Sequence, residues 1–272
     1  MYNTTAFLYD TIAAAEDPKA VFGHIHTLLL EAVIRQPAAV GDFGCGTGTM
    51  AVQFAEFGWR VIGVELSEAM LAVAQSKASG LSQAIQSRLG WVHGDISEPA
   101  LVDKIRDKTT LPLEAVVCLH NTINHLVQWP QVEGFIANAF AVLKPGGVLV
   151  LDSDTLLTFE NFFNHPPTVV WDDGAHRVTR TCFFNAETGR AEHTALLERY
   201  ESDSISEGIS EGRIAYVDTE VMGLQYYPEA QLNSAFLAAG FTLRALQPYN
   251  PSPALYEGGF IPKALWVLQK PI

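Results

Sequence analysis

The segment Val40-Gly41-Asp42-Phe43-Gly44-Cys45-Gly46-Thr47-Gly48 constrains the fold of this chain more than any other. An apolar run, Ala39–Phe43, enters it and a helical pattern, Thr49–Phe57, leaves it, with glycines at alternate positions in between. A strand feeding a helix through a glycine loop is the opening unit of a doubly wound α/β sheet. Without Cβ atoms the backbone turns tightly and approaches a ligand to van der Waals distance, and the N–H groups opening the helix are left free. The spacing is G-x-G-x-G, not the G-x-G-x-x-G of a pyrophosphate-binding loop, and Asp42 stands two places before Gly44. A carboxylate there repels phosphate and suits a cationic amino-acid moiety. The loop predicts a nucleotide-type cofactor gripped partly through a positive charge.

The same grammar runs on to about Asp152. Strands are expected at Ala39–Phe43, Arg60–Leu66, Leu89–His93, Leu113–Leu119 and Val148–Leu151, alternating with helices near Thr49–Phe57, Ser67–Ser79, Pro99–Lys108 and Gln131–Leu143. Ser67 is placed to cap its helix. Past Asp154 the helical period disappears. His176–Phe184, a turn at Asn185–Gly189, and Arg190–Tyr200 read as a hairpin, with Arg213–Tyr226 as a third strand. The core pattern resumes with a helix at Pro228–Ala239, ended by Gly240, and strands Phe241–Leu246 and Ala264–Gln269. The expected fold is α/β: a doubly wound, Rossmann-like, seven-stranded, mostly parallel sheet with a small inserted antiparallel sheet over the active site. Its divisions are a helical cap at 1–37, a core at 38–155 and 228–272, and the insertion at 156–227.

Composition excludes more than it identifies. The 272 residues carry a formal charge of −13, with 17 Lys and Arg against 30 Asp and Glu, which disfavours nucleic acid and leaves a small-molecule substrate. Cys45, Cys118 and Cys182 make no C-x-x-C pair and read as reduced, buried thiols. The first residues lack the pattern of a secretion signal and no apolar run reaches membrane-spanning length, so a cytoplasmic location without a membrane partner is expected. The oligomeric state is open, a homodimer being one candidate.

Glu65 ends the second strand 23 residues after Asp42, where a carboxylate accepts ribose hydroxyls. Leu66 and Met70 follow, as adenine contacts or as core. With Asp42-Phe43-Gly44-Cys45-Gly46-Thr47-Gly48, Trp91-Val92-His93-Gly94-Asp95-Ile96 and the turn Leu143-Lys144-Pro145-Gly146-Gly147, the chain resembles the class I S-adenosylmethionine (SAM) dependent methyltransferases. The resemblance implies SAM as donor, S-adenosylhomocysteine as product and no metal. Gly44, Cys45 and Gly46 would cradle the donor, Gly94, Asp95 and Ile96 would hold its adenine, Leu119 would lie beside it, and Tyr9 and Tyr2 would fold over the site from the leading helix.

The stretch Leu119-His120-Asn121-Thr122-Ile123-Asn124-His125-Leu126 is similar to small-molecule N-methyltransferases of the glycine and amino-sugar types. That likeness implies a catalytic role for His125, with His120 beside it and Asn121 facing the substrate. An imidazole with an ordinary pKa near 6.5 is suited to take an amine's proton, although a structural histidine fits the position as well. Arg180 would meet an anionic group on the substrate and Tyr226 would line its pocket. An amine nitrogen is the preferred acceptor, with a small-molecule O-methyltransferase or a noncatalytic SAM-binding protein as alternatives.

Overall fold

The computed structural model describes residues 3–12, 17–32, 38–109, 112–164, 166–201, 205–206, 209–210, 214–251 and 263–272. Tyr2, expected to fold over the site, lies outside them. Two helices lead, α1 (Tyr9–Ile12) after a 3-10 turn at Ala6–Leu8, and α2 (Pro18–Glu31). Asp17 caps α2 by accepting from the N–H groups of Lys19 and Ala20, and Pro18 occupies the first turn, where no donor is lost.

The core then alternates as β1 (Ala39–Phe43), α3 (Thr49–Glu56), β2 (Arg60–Glu65), α4 (Glu68–Ser79), α5 (Gln83–Gln86), β3 (Leu89–His93), α6 (Leu101–Lys108), β4 (Leu113–Cys118), a 3-10 turn at Thr122–His125, α7 (Trp129–Val142) and β5 (Leu143–Asp154). After β5 come α8 (Leu156–Phe162), β6 (Thr168–Asp172), β7 (His176–Asn185), β8 (Arg190–Tyr200), the two-residue strands β9 (Ile205–Ser206) and β10 (Ile209–Ser210), and β11 (Ile214–Gln225). The chain closes with α9 (Glu229–Ala238), β12 (Thr242–Tyr249) and β13 (Lys263–Gln269).

Seven strands form one sheet in the order β12-β13-β5-β4-β1-β2-β3, and four form a separate sheet in the order β11-β8-β7-β6. Pairing is parallel from β5 to β3, while β13 runs antiparallel to both neighbours. β1 is central and wholly buried, as a strand covered on both faces must be. Apolar layers flank it: Phe43, Phe135, Ile136 and Trp266 lie in one, Ile25, Phe54, Trp59 and Leu265 in the other. Ser67 caps α4, accepting the Met70 N–H at 3.2 Å.

The strand order reverses between β1 and β4, so the carboxyl ends of β1, β2, β3, β4 and β5 open on a crevice where an α/β sheet receives its ligand. The second sheet rests against that crevice. Asn124 donates to the Gln225 carbonyl at 2.9 Å, and the Tyr227 hydroxyl donates to the Leu126 carbonyl. β5 runs three residues beyond the expected Leu151 because β13 pairs with it as far as Asp154.

Candidate active site

A cavity of about 430 Å3 occupies the crevice. Every residue expected to touch the donor lines it: Tyr9, Asp42, Gly44, Cys45, Gly46, Glu65, Leu66, Met70, Gly94, Asp95, Ile96 and Leu119. His120 and His125 line it too. Asn121, Arg180 and Tyr226 are not among the lining residues.

The glycine loop is built for close approach. Gly44, Gly46 and Gly48 have φ of +77°, +54° and +76°, in the left-handed region that side chains disfavour. Its own N–H groups turn inward: those of Gly44 and Cys45 donate to the Val64 carbonyl, Gly46 to Glu65 Oε2 at 3.0 Å and Gly48 to the Cys45 carbonyl. A phosphate would find few donors here. A Cβ on Gly46 would meet only Met70 Cε, at 3.7 Å, so the backbone there faces open space.

Carboxylates line the donor end. Asp42 is 3 % exposed and its Oδ2 is buried with no hydrogen-bond partner. Burial raises its pKa to about 7, the Glu65 carboxylate adding to the rise while His120 and the Ala51 N–H pull it down. An ionised carboxylate oxygen buried in this way is costly to hold without a partner. Glu65 is held by the N–H of Gly46 and, at 2.8 Å, that of Ser67; burial pushes its pKa up and these donors offset part of the rise. Asp95 accepts from the Ser97 N–H and hydroxyl, both at 2.7 Å, which aligns the turn bearing Ile96. Cys45 sits in this acidic wall, its thiol pushed well above the ordinary value by burial, Asp42 and Glu65, so it is no nucleophile.

The other wall is the Leu119–Leu126 turn. His120 and Asn121 have φ of +56° and +52°, consecutive left-handed residues that are not glycine. Asp152 holds them there, accepting the N–H of His120 at 3.1 Å and of Asn121 at 2.5 Å. The Asn121 side chain donates to Asp154 at 2.6 Å, and Lys263 Nζ lies 3.5 Å from Asp154 and 3.9 Å from Asp152. Asn121 is thus engaged with its own scaffold. His125 is partly open to the cavity but enclosed by protein mass, and burial lowers its pKa to about 4 against the opposing pull of Asp154 and the Gly223 backbone. Its imidazole is neutral near pH 7.

Tyr226 packs with Phe159, ring centroids 5.9 Å apart, in the cluster under α8, and Arg180 lies on β7. The sequence reading missed Asp10, Thr47, Thr49, Met50, Thr122, Leu126 and Gln131, all on the cavity wall. The two threonines flank Gly48 and were visible in the motif; Asp10 had no local signal.

An open α/β sheet whose crevice joins an acidic nucleoside-type cradle to a histidine-bearing turn defines the class I methyltransferase fold. The comparisons agree. Residues 40–147 match the methyltransferase domain family. An uncharacterized methyltransferase of Oceanobacillus iheyensis is 30% identical over 159 residues, 57% of this chain and 66% of that protein. The glycine/sarcosine N-methyltransferase of Aphanothece halophytica is 24% identical over 187 residues, 69% of this chain and 59% of that protein. The chain spans about a third to two thirds of the length of the curated relatives it matches, 36% to 66%. Among solved structures, a SAM-dependent methyltransferase from Clostridium acetobutylicum superposes with a TM-score of 0.74 at 17% identity, covering 100% of this chain and 99% of that one. The SAM-bound amino pentose methyltransferase of Micromonospora echinaspora gives 0.68 at 22%, covering 97% and 96%. A sugar N-methyltransferase of Streptoalloteichus gives 0.66 at 22%, covering 97% and 93%. Residues 40–147 are a methyltransferase domain, and the chain has the class I SAM-dependent methyltransferase fold.

Proposed function

We propose that this protein transfers a methyl group from SAM to an amine nitrogen of a small metabolite. The observation that carries the reading is the cavity itself, which brings the unpartnered Asp42 Oδ2, the open backbone at Gly46, and Glu65, Asp95 and Ile96 to one end, and His125 to the other. Asp42 would receive the donor's α-ammonium, Glu65 its ribose hydroxyls through lone pairs left by Gly46 and Ser67, and Asp95 its adenine amino group, with Ile96, Leu66 and Met70 against the ring. Tyr9 and Leu119 would close the donor's flanks.

SAM supplies a methyl already made electrophilic by its sulfonium, so the nitrogen–carbon bond forms as the carbon–sulfur bond breaks and the pair departs onto sulfur. The protein's part is alignment and exclusion of water. A buried imidazole lowered to about 4 is a poor general base; His125 instead accepts a hydrogen bond from an N–H of the neutral amine and aims its lone pair. His120 stands beside Asp42 and tunes its charge. Relatives described as N-methyltransferases support the choice of nitrogen.

Calorimetric titration with SAM, S-adenosylhomocysteine and NAD, followed by mass spectrometry of metabolite extracts incubated with methyl-labelled SAM, tests the reading. SAM binding and a product one labelled methyl heavier are expected. NAD binding without SAM binding overturns it, and SAM binding with no product across extracts favours a noncatalytic SAM-binding protein.

A further inference from the structure

The Asp95 carboxylate is only half engaged by the protein. Its Oδ1 accepts both the N–H and the hydroxyl of Ser97, each at 2.7 Å, while Oδ2 has no hydrogen-bond partner among the described residues. An acceptor can recognise the amino group of a base, but it leaves unread the ring nitrogens on either side of that group. Reading one of those takes a donor.

Helix α7 brings a donor to the same place. The Asn138 amide donates to the carbonyls of Ile96 at 2.9 Å and Glu98 at 2.8 Å, and a Cβ on Gly134 would run into the Ser97 carbonyl. Positions 131, 134 and 138 are spaced by three and four residues, so they share the helix face that runs along the Ile96–Glu98 turn. Gln131 lies about one turn nearer the helix start than Gly134, and it lines the cavity with Asp95 and Ile96. Its amide has a fixed sense. The main-chain N–H of Gln128 donates to Gln131 Oε1 at 3.0 Å, and because that group can only donate, the oxygen faces it and the nitrogen is turned the other way. Nε2 has no partner among the described residues. Capping α7 accounts for the oxygen of this side chain and leaves its nitrogen unexplained.

We propose that Gln131 is a specificity-determining residue for the methyl donor, its Nε2 donating to a ring nitrogen beside the adenine amino group while Asp95 Oδ2 accepts from that group. The inference rests on the methyltransferase reading and adds a contact to its donor site. Adenine offers a donor next to an acceptor on both edges of its amine, N1 on one side and N7 on the other. A single glutamine amide matches this pattern when it reads adenine in DNA. Here the pattern is divided between two residues on two elements. A 6-oxo purine would set its carbonyl against the Asp95 carboxylate with no proton between them, so the pair also rejects that class of base.

The test uses the full chain as parent, Q131M and Q131E, titrated calorimetrically with S-adenosylhomocysteine and its 1-deaza, 3-deaza and 7-deaza analogues. Either the 1-deaza or the 7-deaza analogue should bind the parent about five- to tenfold more weakly than S-adenosylhomocysteine, and which one does so names the nitrogen. The 3-deaza analogue, altered away from the amine, should bind as tightly as S-adenosylhomocysteine. In Q131M the penalty should vanish, which assigns it to the side chain and not to the altered ring. Q131E keeps an oxygen for the Gln128 N–H and adds an acid to the first helical turn, so it should unfold at no lower temperature than the parent. It should nevertheless lose about tenfold or more in S-adenosylhomocysteine affinity, because an acceptor then faces an acceptor. Equal affinity of the parent for all four ligands, a penalty that persists in Q131M, or parental affinity in Q131E overturns the contact while leaving the methyltransferase standing. Failure of the parent to bind S-adenosylhomocysteine overturns both.

Discussion

Asp10 and Lys77 form an ion pair of 2.8 Å that ties the leading helix α1 to α4 across the rim of the donor cavity. Asp10 Oδ1 also accepts the hydroxyls of Thr47 at 2.5 Å and Thr49 at 3.3 Å, and Lys77 donates to Thr49 at 2.7 Å. One carboxylate thus fastens the leading segment to the C-terminal end of the glycine loop, on both sides of Gly48. Burial works against its charge, but the bonds from Lys77 and Thr47 outweigh it and hold its pKa below the ordinary value.

Asp10→Asn should loosen that clasp without unfolding the chain. The pair is partly exposed, so its stability contribution is about 1 kcal/mol or less. The larger effect should be on escape of the donor: a rise of about five- to tenfold in the S-adenosylhomocysteine dissociation rate by stopped flow, narrowing in high salt as the ion pair is screened. An unchanged dissociation rate would show that the clasp does not gate the cavity.

The three loop glycines serve different needs, and alanine at each should separate them. A Cβ on Gly44 would stand 2.5 Å from Thr122 Cγ2, and one on Gly48 2.8 Å from Trp91 and 2.9 Å from Ala74. Gly44→Ala and Gly48→Ala should each cost about 2–4 kcal/mol in denaturant unfolding, from overpacking plus left-handed strain. Gly46→Ala meets no such obstacle, so its cost should be about 1 kcal/mol. Its methyl enters the cavity, and donor affinity should fall more than about tenfold. If Gly46→Ala proves the most destabilising of the three, this division of roles is wrong.

Much of this site is written locally. The loop, Glu65 and the Gly94-Asp95-Ile96 corner each sit at a strand end whose period-two apolar run is visible, and the parallel order brings those ends together. Asp10 is different, because a four-residue helix has no periodicity and its partner Lys77 lies far along the chain, on α4. The helix α8 is also short, seven residues at the start of a stretch assigned whole to the inserted sheet, and its Phe159 shows its place only through the cluster it builds with Phe163 and Phe184. Alternation showed which residues of β7 share a face but not which face turns inward, so Arg180 and Tyr226 entered the reading together. The structure separates them, Tyr226 into the α8 cluster and Arg180 toward His193.

Asp152 should prove a positioning residue for the turn that carries His120 and His125. Two consecutive left-handed residues cost on the order of 1–3 kcal/mol each, and its carboxylate offsets this through both N–H groups. Asp152→Asn keeps the shape but offers one acceptor oxygen in place of two. We expect turnover to fall about tenfold or more with donor affinity within about twofold of the parent, because the turn shifts while the glycine loop does not. Asp152→Ala should lose about 3–5 kcal/mol of stability as well, removing one of the two carboxylates that lie beside buried Lys263. Equal losses of turnover and donor affinity in Asp152→Asn would point to a general structural role instead.

Asp42 sets function against stability. Its carboxyl titrates at about 7 in the folded chain and near 3.8 when unfolded. Between those values the folded chain binds more protons than the unfolded one, so this group makes the protein less stable as pH rises from about 4 to 7, the reverse of the usual carboxylate effect. Asp42→Asn removes the penalty. At pH 8 the ligand-free variant should be more stable than the parent by on the order of 2–4 kcal/mol, and the difference should shrink toward pH 5. Donor binding should run the other way. If the ionised carboxylate receives the α-ammonium as proposed, parental affinity should climb with pH up to about 7 and then level off, by as much as about tenfold per unit. In the variant affinity should be weaker and flat across the range. Urea unfolding and calorimetric titration at pH 5, 6, 7 and 8 measure both slopes; a variant less stable than the parent at pH 8, or a parent whose affinity ignores pH, would remove Asp42 as the donor's cation site.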